Sequence, residues 1–214
     1  MAQRATVTEI ETLVPNVVQL TVAFHDEFAF EAGQWVNFRF PDGVSRAYTI
    51  ASAPERPEAV QLCVRVGSGQ GGAALQRLEA GTEVSVDGPY GDFLVPDDAR
   101  DVVFLAGDTG IAPVRSIVLH MLASKDPRRI TVLYEPNQRY ILYSGDFDPL
   151  ARDGAITHMS GNIETLVTRN LRALSTATAM VVGFDPFLDR ARRALRDAGV
   201  GEEQVIAESF GPLP

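Results

Sequence analysis

The chain has 214 residues, of which 45% are hydrophobic and 22% charged, with a formal net charge of −9 at pH 7; this suits a globular protein of one large domain or two small ones. No run approaches the roughly 20 apolar residues that cross a bilayer, and the acidic balance argues against nucleic acid and anionic membranes as partners. Cys63 is the only cysteine, which excludes an internal disulfide, a thiolate zinc site and a cysteine-ligated iron–sulfur cluster within these residues. Any redox chemistry here therefore calls for a bound organic cofactor. Glu9 and Glu11 stand where a signal peptide would carry basic residues, which predicts a cytoplasmic protein. His25, His120 and His158 lack metal-ligand spacing, so no metal is expected.

In chain order, the first ninety-odd residues predict β structure. Ala5–Leu13, Val17–Phe24, Trp35–Phe40, Arg46–Ser52, Val60–Val66 and Glu83–Asp87 carry β-branched or aromatic residues and are separated by Pro, Gly or Asp turns. Six short strands at hairpin spacing predict a six-stranded antiparallel barrel over residues 1–96, interrupted by one helix at Gly72–Leu78. The polar, turn-prone Leu94–Arg100 predicts a domain boundary. From 101 to 214, strands at Val102–Leu105, Ile130–Tyr134, Ala155–Met159, Ala179–Gly183 and Gln204–Ser209 alternate with helices to Ala123 and at Tyr140–Leu150, Ile163–Leu171 and Pro186–Ala198. That alternation predicts an α/β domain with a doubly wound parallel sheet, whose ligands gather at the carboxyl ends of its strands.

Three segments carry chemistry. Arg46-Ala47-Tyr48-Thr49 lies on a predicted strand, so Arg46 and Tyr48 share one face and Ala47 and Thr49 the other. Arg46 suits a phosphate, Tyr48 a ring system, and Thr49 a ring nitrogen or carbonyl. Gly67-Ser68-Gly69-Gln70-Gly71-Gly72 satisfies the glycine spacing of a dinucleotide fingerprint, but its β-rich surroundings lack the βαβ unit that fingerprint needs. What survives is a phosphate-binding helix start, with Arg65 on the preceding strand to add charge. The third segment, Asp101–His120, is an apolar strand, a glycine turn at Gly107–Gly110, and a helix, the arrangement in which backbone N–H groups receive phosphate. No Ser/His/Asp or Cys/His triad is evident.

Taken together these residues resemble the ferredoxin–NADP reductase superfamily. Arg46-Ala47-Tyr48-Thr49 with Ile50-Ala51-Ser52-Ala53-Pro54 is similar to its Arg-x-Tyr-Ser/Thr flavin motif, and Cys63-Val64-Arg65 with Gly69-Gln70-Gly71-Gly72-Ala73-Ala74-Leu75 to its flavin pyrophosphate segment. Gly88-Pro89-Tyr90-Gly91-Asp92-Phe93 resembles its barrel-closing segment, and Ala106–Pro113 its pyridine-nucleotide loop. Val181–Phe187 occupies the place of its Cys-Gly-Pro-x-x-Met segment, and Glu208-Ser209-Phe210 that of its terminal Glu-x-aromatic. The resemblance implies bound FAD, with NADH or NADPH as cosubstrate passing a hydride to it, and electrons leaving to a separate acceptor: a ferredoxin, flavodoxin, cytochrome or oxygenase component. It implies flavin contacts from Arg46, Ala47, Tyr48, Thr49, Cys63, Val64, Arg65, Gly69, Gly71, Gly72 and Ala73. Nicotinamide-nucleotide contacts fall to Gly107, Thr109, Gly110, Pro113, Asn137, Gly183 and Phe184. The resemblance assigns catalytic roles to three residues: Thr49 is expected beside the reactive flavin nitrogen, Glu208 near the nicotinamide, and Phe210 stacked over the flavin. A non-catalytic flavin- or nucleotide-binding sensor subunit, and a reductase of free flavin, are the alternative readings.

Four departures from the family pattern stand out. Val182 takes the usual cysteine seat, Gly72 replaces a common serine, and Asp108 stands where glycine is frequent. Glu135-Pro136-Asn137 replaces a Gly-x-Arg that can contact a ribose or its phosphate, which favours NADH, with Arg139 as a substitute cation. Arg190, Arg192, Arg193 and Arg196 are spaced as a solvated helix face.

Overall fold

A computed structural model describes residues 2–137 and 140–213, which divide into two units. The first runs to Leu94 and includes the helical stretch Arg115–His120; the second holds Val95–Val114 and Met121–Leu213.

In the first unit, β1 (Gln3–Val14), β2 (Val17–Phe24), β3 (Trp35–Arg39), β4 (Ser45–Thr49), β5 (Ala59–Arg65) and β6 (Glu83–Tyr90) form one antiparallel sheet in the order β4-β3-β6-β1-β2-β5. Alternate side chains turn inward, so Ala5, Val7, Leu20, Val22, Val36, Phe38, Val60, Leu62, Val84 and Val86 make a shared core. The two edges meet just beyond β4, where Ile50 bridges Leu62 and Ala51 N–H donates to the Gln61 carbonyl at 2.7 Å. The sheet therefore curls into the expected barrel. Within the same unit Arg115 Nη1 donates to the Ala51 carbonyl (2.8 Å) and to Gln61 Oε1 (2.9 Å), and Ser116 Oγ to the Ser52 carbonyl (2.6 Å). These bonds hold the segment that follows Thr49.

The interrupting helix, α1, spans Gln70–Gln76 rather than Gly72–Leu78. It starts earlier than propensity predicts because Gly69, at φ +88°, turns the chain into it. The last barrel strand runs to Tyr90, beyond the predicted Asp87, and Tyr90 packs on Trp35 with ring centroids 5.0 Å apart.

In the second unit five parallel strands, β7 (Val102–Gly107), β8 (Ile130–Glu135), β9 (Thr157–Ser160), β10 (Thr178–Gly183) and β11 (Val205–Ser209), lie in the order β11-β10-β7-β8-β9. Every residue of β7 and β10 is buried, as central parallel strands require. The chain moves outward from β7 to β9, then returns to add β10 on the other side of β7. The carboxyl ends of β7 and β10 thus flank the switch point where doubly wound sheets bind ligands.

The helices are α2 (Ile111–Ala123), α3 (Ser144–Arg152), α4 (Ile163–Arg169), α5 (Leu171–Leu174) and α6 (Asp185–Asp197). Two differ from expectation. The helix predicted at Tyr140–Leu150 begins only at Ser144, because Tyr143 takes a left-handed φ of +56° that stops upstream growth. The one predicted at Ile163–Leu171 breaks at Asn170, whose Nδ2 donates back to the Leu166 carbonyl at 2.8 Å. No helix of the described residues is long and apolar enough to cross a membrane.

Candidate functional site

In the first unit the sequence-predicted flavin residues fall on β4, β5 and α1. Strand pairing sets Arg46 opposite Phe38 and Tyr48 opposite Val36, two core-facing residues, so Arg46 and Tyr48 share a face as alternation requires. Tyr48 is half-buried, with its ring 5.9 Å from Phe38 and 6.4 Å from Phe40. Burial pushes its phenol up to about 12, against the opposing pull of Arg46, so the hydroxyl stays protonated and able to donate. Arg46 and Ala47 are exposed and Thr49 is buried. Cys63 and Val64 are also buried, and Val64 packs in the barrel core, which leaves its backbone rather than its side chain for a ligand.

The first turn of α1 lies against β4. A methyl placed on Gly71 would come within 2.8 Å of Arg46 Nε, so the guanidinium sits directly over this turn. A methyl on Gly72 would lie 1.9 Å from the Gly67 carbonyl oxygen, which explains glycine in a seat where serine is common: the loop folds back on itself there. Positions Gly67 and Gly69, by contrast, would meet nothing within 4 Å. A cation over a helix start, backed by a tightly closed glycine loop with open space beside it, is a cradle for phosphate groups. The residues fit the pyrophosphate of a flavin dinucleotide. No side chain caps α1 and no acidic residue stands in its first turn.

In the second unit Gly107, Gly110, Gly183, Phe184 and Phe210 come together at the switch point. A methyl on Gly110 would lie 2.4 Å from the Val182 carbonyl oxygen, and one on Gly107 would meet the Phe187 ring at 2.4 Å. Only glycine lets the turn after β7 pass this close to β10. Thr109 is buried, and Pro113 sits in the first turn of α2, where its missing N–H costs no helical bond. Phe210 N–H donates to the Gly183 carbonyl (2.9 Å), and Asp185 N–H donates to the Gly211 carbonyl (2.9 Å). Ser209 Oγ bonds Asp185 Oδ1 and accepts from Gly211 N–H at 2.9 Å. These bonds clasp the segment after β11 to the loop after β10 and leave the rings of Phe184 and Phe210 edge to face, 5.8 Å apart. Val182 is fully buried and pairs in register with Glu208. Asn137 is exposed, two residues past β8, and makes none of these contacts; Arg139 lies outside the described residues.

Two features escaped the sequence reading. Asp108 adopts φ +54°, a left-handed conformation that glycine, asparagine and aspartate tolerate best. Arg190, expected on a solvated helix face, is half-buried and paired with both Glu135 and Glu164. Their signal was weak because 55 and 26 residues separate the partners. Arg128 is likewise engaged, with Asp126 and the Pro96 carbonyl (2.8 Å), and Arg129 pairs with Asp101. His158 is half-buried, its imidazole turned inward with Nδ1 3.5 Å from Asp148 Oδ1, and burial holds it below the usual range.

Residues 4–94 match the family model described as an oxidoreductase FAD-binding domain. The chain is 36% identical over 156 residues to the reductase component DmpP of phenol 2-monooxygenase from Pseudomonas sp., covering 69% of this chain and 43% of that one. It is also 36% identical over 221 residues to reductase component 2 of terephthalate 1,2-dioxygenase from Comamonas sp., covering 93% and 65%, and 35% identical to ferredoxin–NADP reductase B of Sorangium cellulosum over 69% and 64%. It thus spans between about two fifths and two thirds of the length of these curated relatives. Among solved structures, a ferredoxin NADP+ reductase from Neisseria gonorrhoeae shares the fold at a TM-score of 0.84 and 17% identity, covering 97% of this chain and 98% of that one. A ferredoxin reductase in carbazole 1,9a-dioxygenase does so at 0.87 and 17%, covering 98% and 69%. Barrel, parallel sheet, ordered motifs and relatives agree: the chain belongs to the ferredoxin–NADP reductase superfamily.

Proposed function

We propose that this protein is an FAD-dependent NAD(P)H reductase that hands electrons to a separate acceptor protein. The observation that carries the reading is the seat of Arg46 over Gly71, at the open glycine loop that begins α1. It joins two segments that lie 25 residues apart in sequence into one cation-and-amide cradle, and this is the requirement for holding a dinucleotide pyrophosphate. Bound FAD would supply the redox chemistry by accepting a hydride from the reduced nicotinamide and releasing electrons to the acceptor.

The protein's own part is binding and orientation. Arg46, Arg65 and the amides of Gly69–Ala73 hold the flavin pyrophosphate, Tyr48 presents a neutral phenol to the ligand, and Thr49 offers its hydroxyl to the flavin ring. In the second unit the turn Gly107–Gly110 and the start of α2 receive the pyrophosphate of the nicotinamide nucleotide. Gly183, Phe184, Glu208 and Phe210 line the nicotinamide end, with Phe210 held by the clasp of Ser209 and Asp185. The names of the relatives, reductase components of a phenol monooxygenase and a terephthalate dioxygenase, support an oxygenase component as the acceptor. The reaction draws on a cytoplasmic reductant, and we place the protein in the cytoplasm.

The test is anaerobic titration of FAD-loaded protein with NADH and then NADPH, following the flavin absorbance. Full bleaching by at least one nucleotide is expected, and tight retention of FAD through gel filtration separates this reading from a reductase of free flavin. Failure of both nucleotides to bleach the flavin sinks the enzyme reading in favour of a sensor subunit.

A further inference from the structure

We propose that Glu135 excludes the 2′-phosphate of NADPH from the second unit, with Arg190 held as its counter-charge, so that NADH is the reductant; this rests on the nucleotide-binding reading given above. Glu135 is the last residue of β8 and pairs in register with Gly107, where the phosphate-binding turn begins. It therefore stands at the carboxyl edge of the sheet, one strand from the switch point, where a doubly wound fold receives the ribose of a bound nucleotide.

Its carboxylate is fixed. Oε2 accepts the Ile163 backbone N–H at 2.7 Å and lies 3.3 Å from Arg190 Nη1, while Oε1 pairs with Arg190 Nη2. Arg190 in turn reaches both oxygens of Glu164 at 3.2 Å. The guanidinium is the kind of planar donor that would grip a phosphate, but two carboxylates of the chain already occupy it. Two acidic groups and one basic group leave the cluster with a net charge of −1, and Glu135 has only 21% of its side chain exposed, so solvent screens it incompletely.

Selectivity follows from both directions. The hydroxyls of an unphosphorylated ribose can donate to a carboxylate, as acidic residues at strand ends do for NADH. A 2′-phosphate brings only acceptors and further negative charge, and it would have to displace Glu135 from Arg190 to gain a cation. The pairing thus acts against the wrong nucleotide as well as for the right one.

The experiment is calorimetric binding of 5′-AMP and of its 2′-phosphorylated form to the full chain, together with kcat/KM for NADH and NADPH. Three proteins are compared: wild type, Glu135→Gln, and Glu135→Gln with Arg190→Gln. Glutamine retains a carbonyl oxygen for the Ile163 N–H, and the Asn162 side chain still caps α4 through the Thr165 N–H. Wild type is expected to bind 5′-AMP at least about tenfold more tightly than the 2′-phosphorylated form, the effect of one incompletely screened net charge at a partly buried site. Glu135→Gln should close that gap by about tenfold through tighter binding of the 2′-phosphorylated form, and the added Arg190→Gln should reopen it. The kcat/KM ratio should follow the same sequence. Equal affinities in wild type, or a ratio that Glu135→Gln does not move, overturns the proposal. Loss of flavin reduction by both nucleotides with the binding pattern intact would instead count against the reductase reading.

Discussion

Three glycines within four residues of one another allow the flavin cradle to be tested by three mechanically different substitutions. At Gly72 the added Cβ would sit 1.9 Å from the Gly67 carbonyl oxygen, and ordinary contact begins near 3.4 Å. The carbonyl must therefore retreat by about 1.5 Å, and the loop from Gly67 to Gly71 must move with it. Overpacking of this kind costs about 1–3 kcal/mol, which at roughly 2–4 °C per kcal/mol is a readable loss in Tm. Gly72→Ser, although it restores the residue common in the family, should lower the Tm of the flavin-free protein and weaken FAD binding at least about tenfold. Gly69→Ala has open space around it but requires an L residue at φ +88° and ψ −165°, an extended positive-φ conformation that essentially only glycine enters, so it should lose about 1–3 kcal/mol through backbone strain alone. Gly71→Ala meets a flexible side chain, Arg46 Nε at 2.8 Å. It should leave the Tm of the flavin-free protein nearly unchanged yet weaken FAD binding about tenfold by pushing the guanidinium aside. Thermal melts of flavin-free protein and quenching of FAD fluorescence on titration separate the three. Wild-type melting and FAD affinity in Gly72→Ser would refute the close-approach argument, and unchanged affinity in Gly71→Ala would remove Arg46 from the site.

Ser209→Ala opens the clasp onto Asp185 and Gly211 that precedes and follows Phe210; kcat/KM for NADH should fall about threefold to tenfold with a Tm loss of under about 1 kcal/mol equivalent, and an unchanged stopped-flow rate would dismiss the clasp. His158, held below its ordinary 6.5 chiefly by burial and only partly opposed by Asp148, is neutral in the native state while the unfolded chain takes up a proton. Its contribution is complete above about pH 6.5 and is lost as pH falls through the lower native value, so His158→Gln should flatten the decline in Tm between about pH 7 and 5; an identical slope contradicts this. Asp108→Gly should melt no lower than wild type and Asp108→Ala about 1 kcal/mol lower, because only the latter forces an ordinary L residue into φ +54°. The Kd for NADH should stay within about threefold in Asp108→Gly, and a tenfold tightening would show the carboxylate opposing the phosphates.

The parts of this molecule legible in its sequence are those governed by local periodicity. Alternation in β1 to β6 and the uniformly apolar β7 and β10 announced a barrel and a parallel sheet, because side-chain burial repeats every second residue or not at all in these settings. The glycine segments were legible as loops, but the reason for each glycine was not. A close approach such as that of Gly72 to Gly67, or of Gly110 to Val182, exists only once the chain has folded back on itself. Charge pairing was the least legible layer. Glu135, Glu164 and Arg190 sit on three different elements, and from spacing alone Arg190 was one more member of an exposed arginine series.

Asp108 shows how the two kinds of information correct each other. On sequence grounds its carboxylate was an intruder in a phosphate loop, in a seat where glycine is frequent. The backbone supplies a reason common to both residues: at φ +54° the turn from β7 into α2 requires the left-handed region, which glycine enters freely and aspartate enters at less cost than most side chains. The departure from the family is then a second solution to one conformational demand. By the same logic Gly72 answers the close approach of the Gly67 carbonyl, and Glu135 answers Arg190. Each of the three substitutions is intelligible from what its neighbours require, while Val182, buried in β10 in register with Glu208, is a departure that nothing in the fold explains.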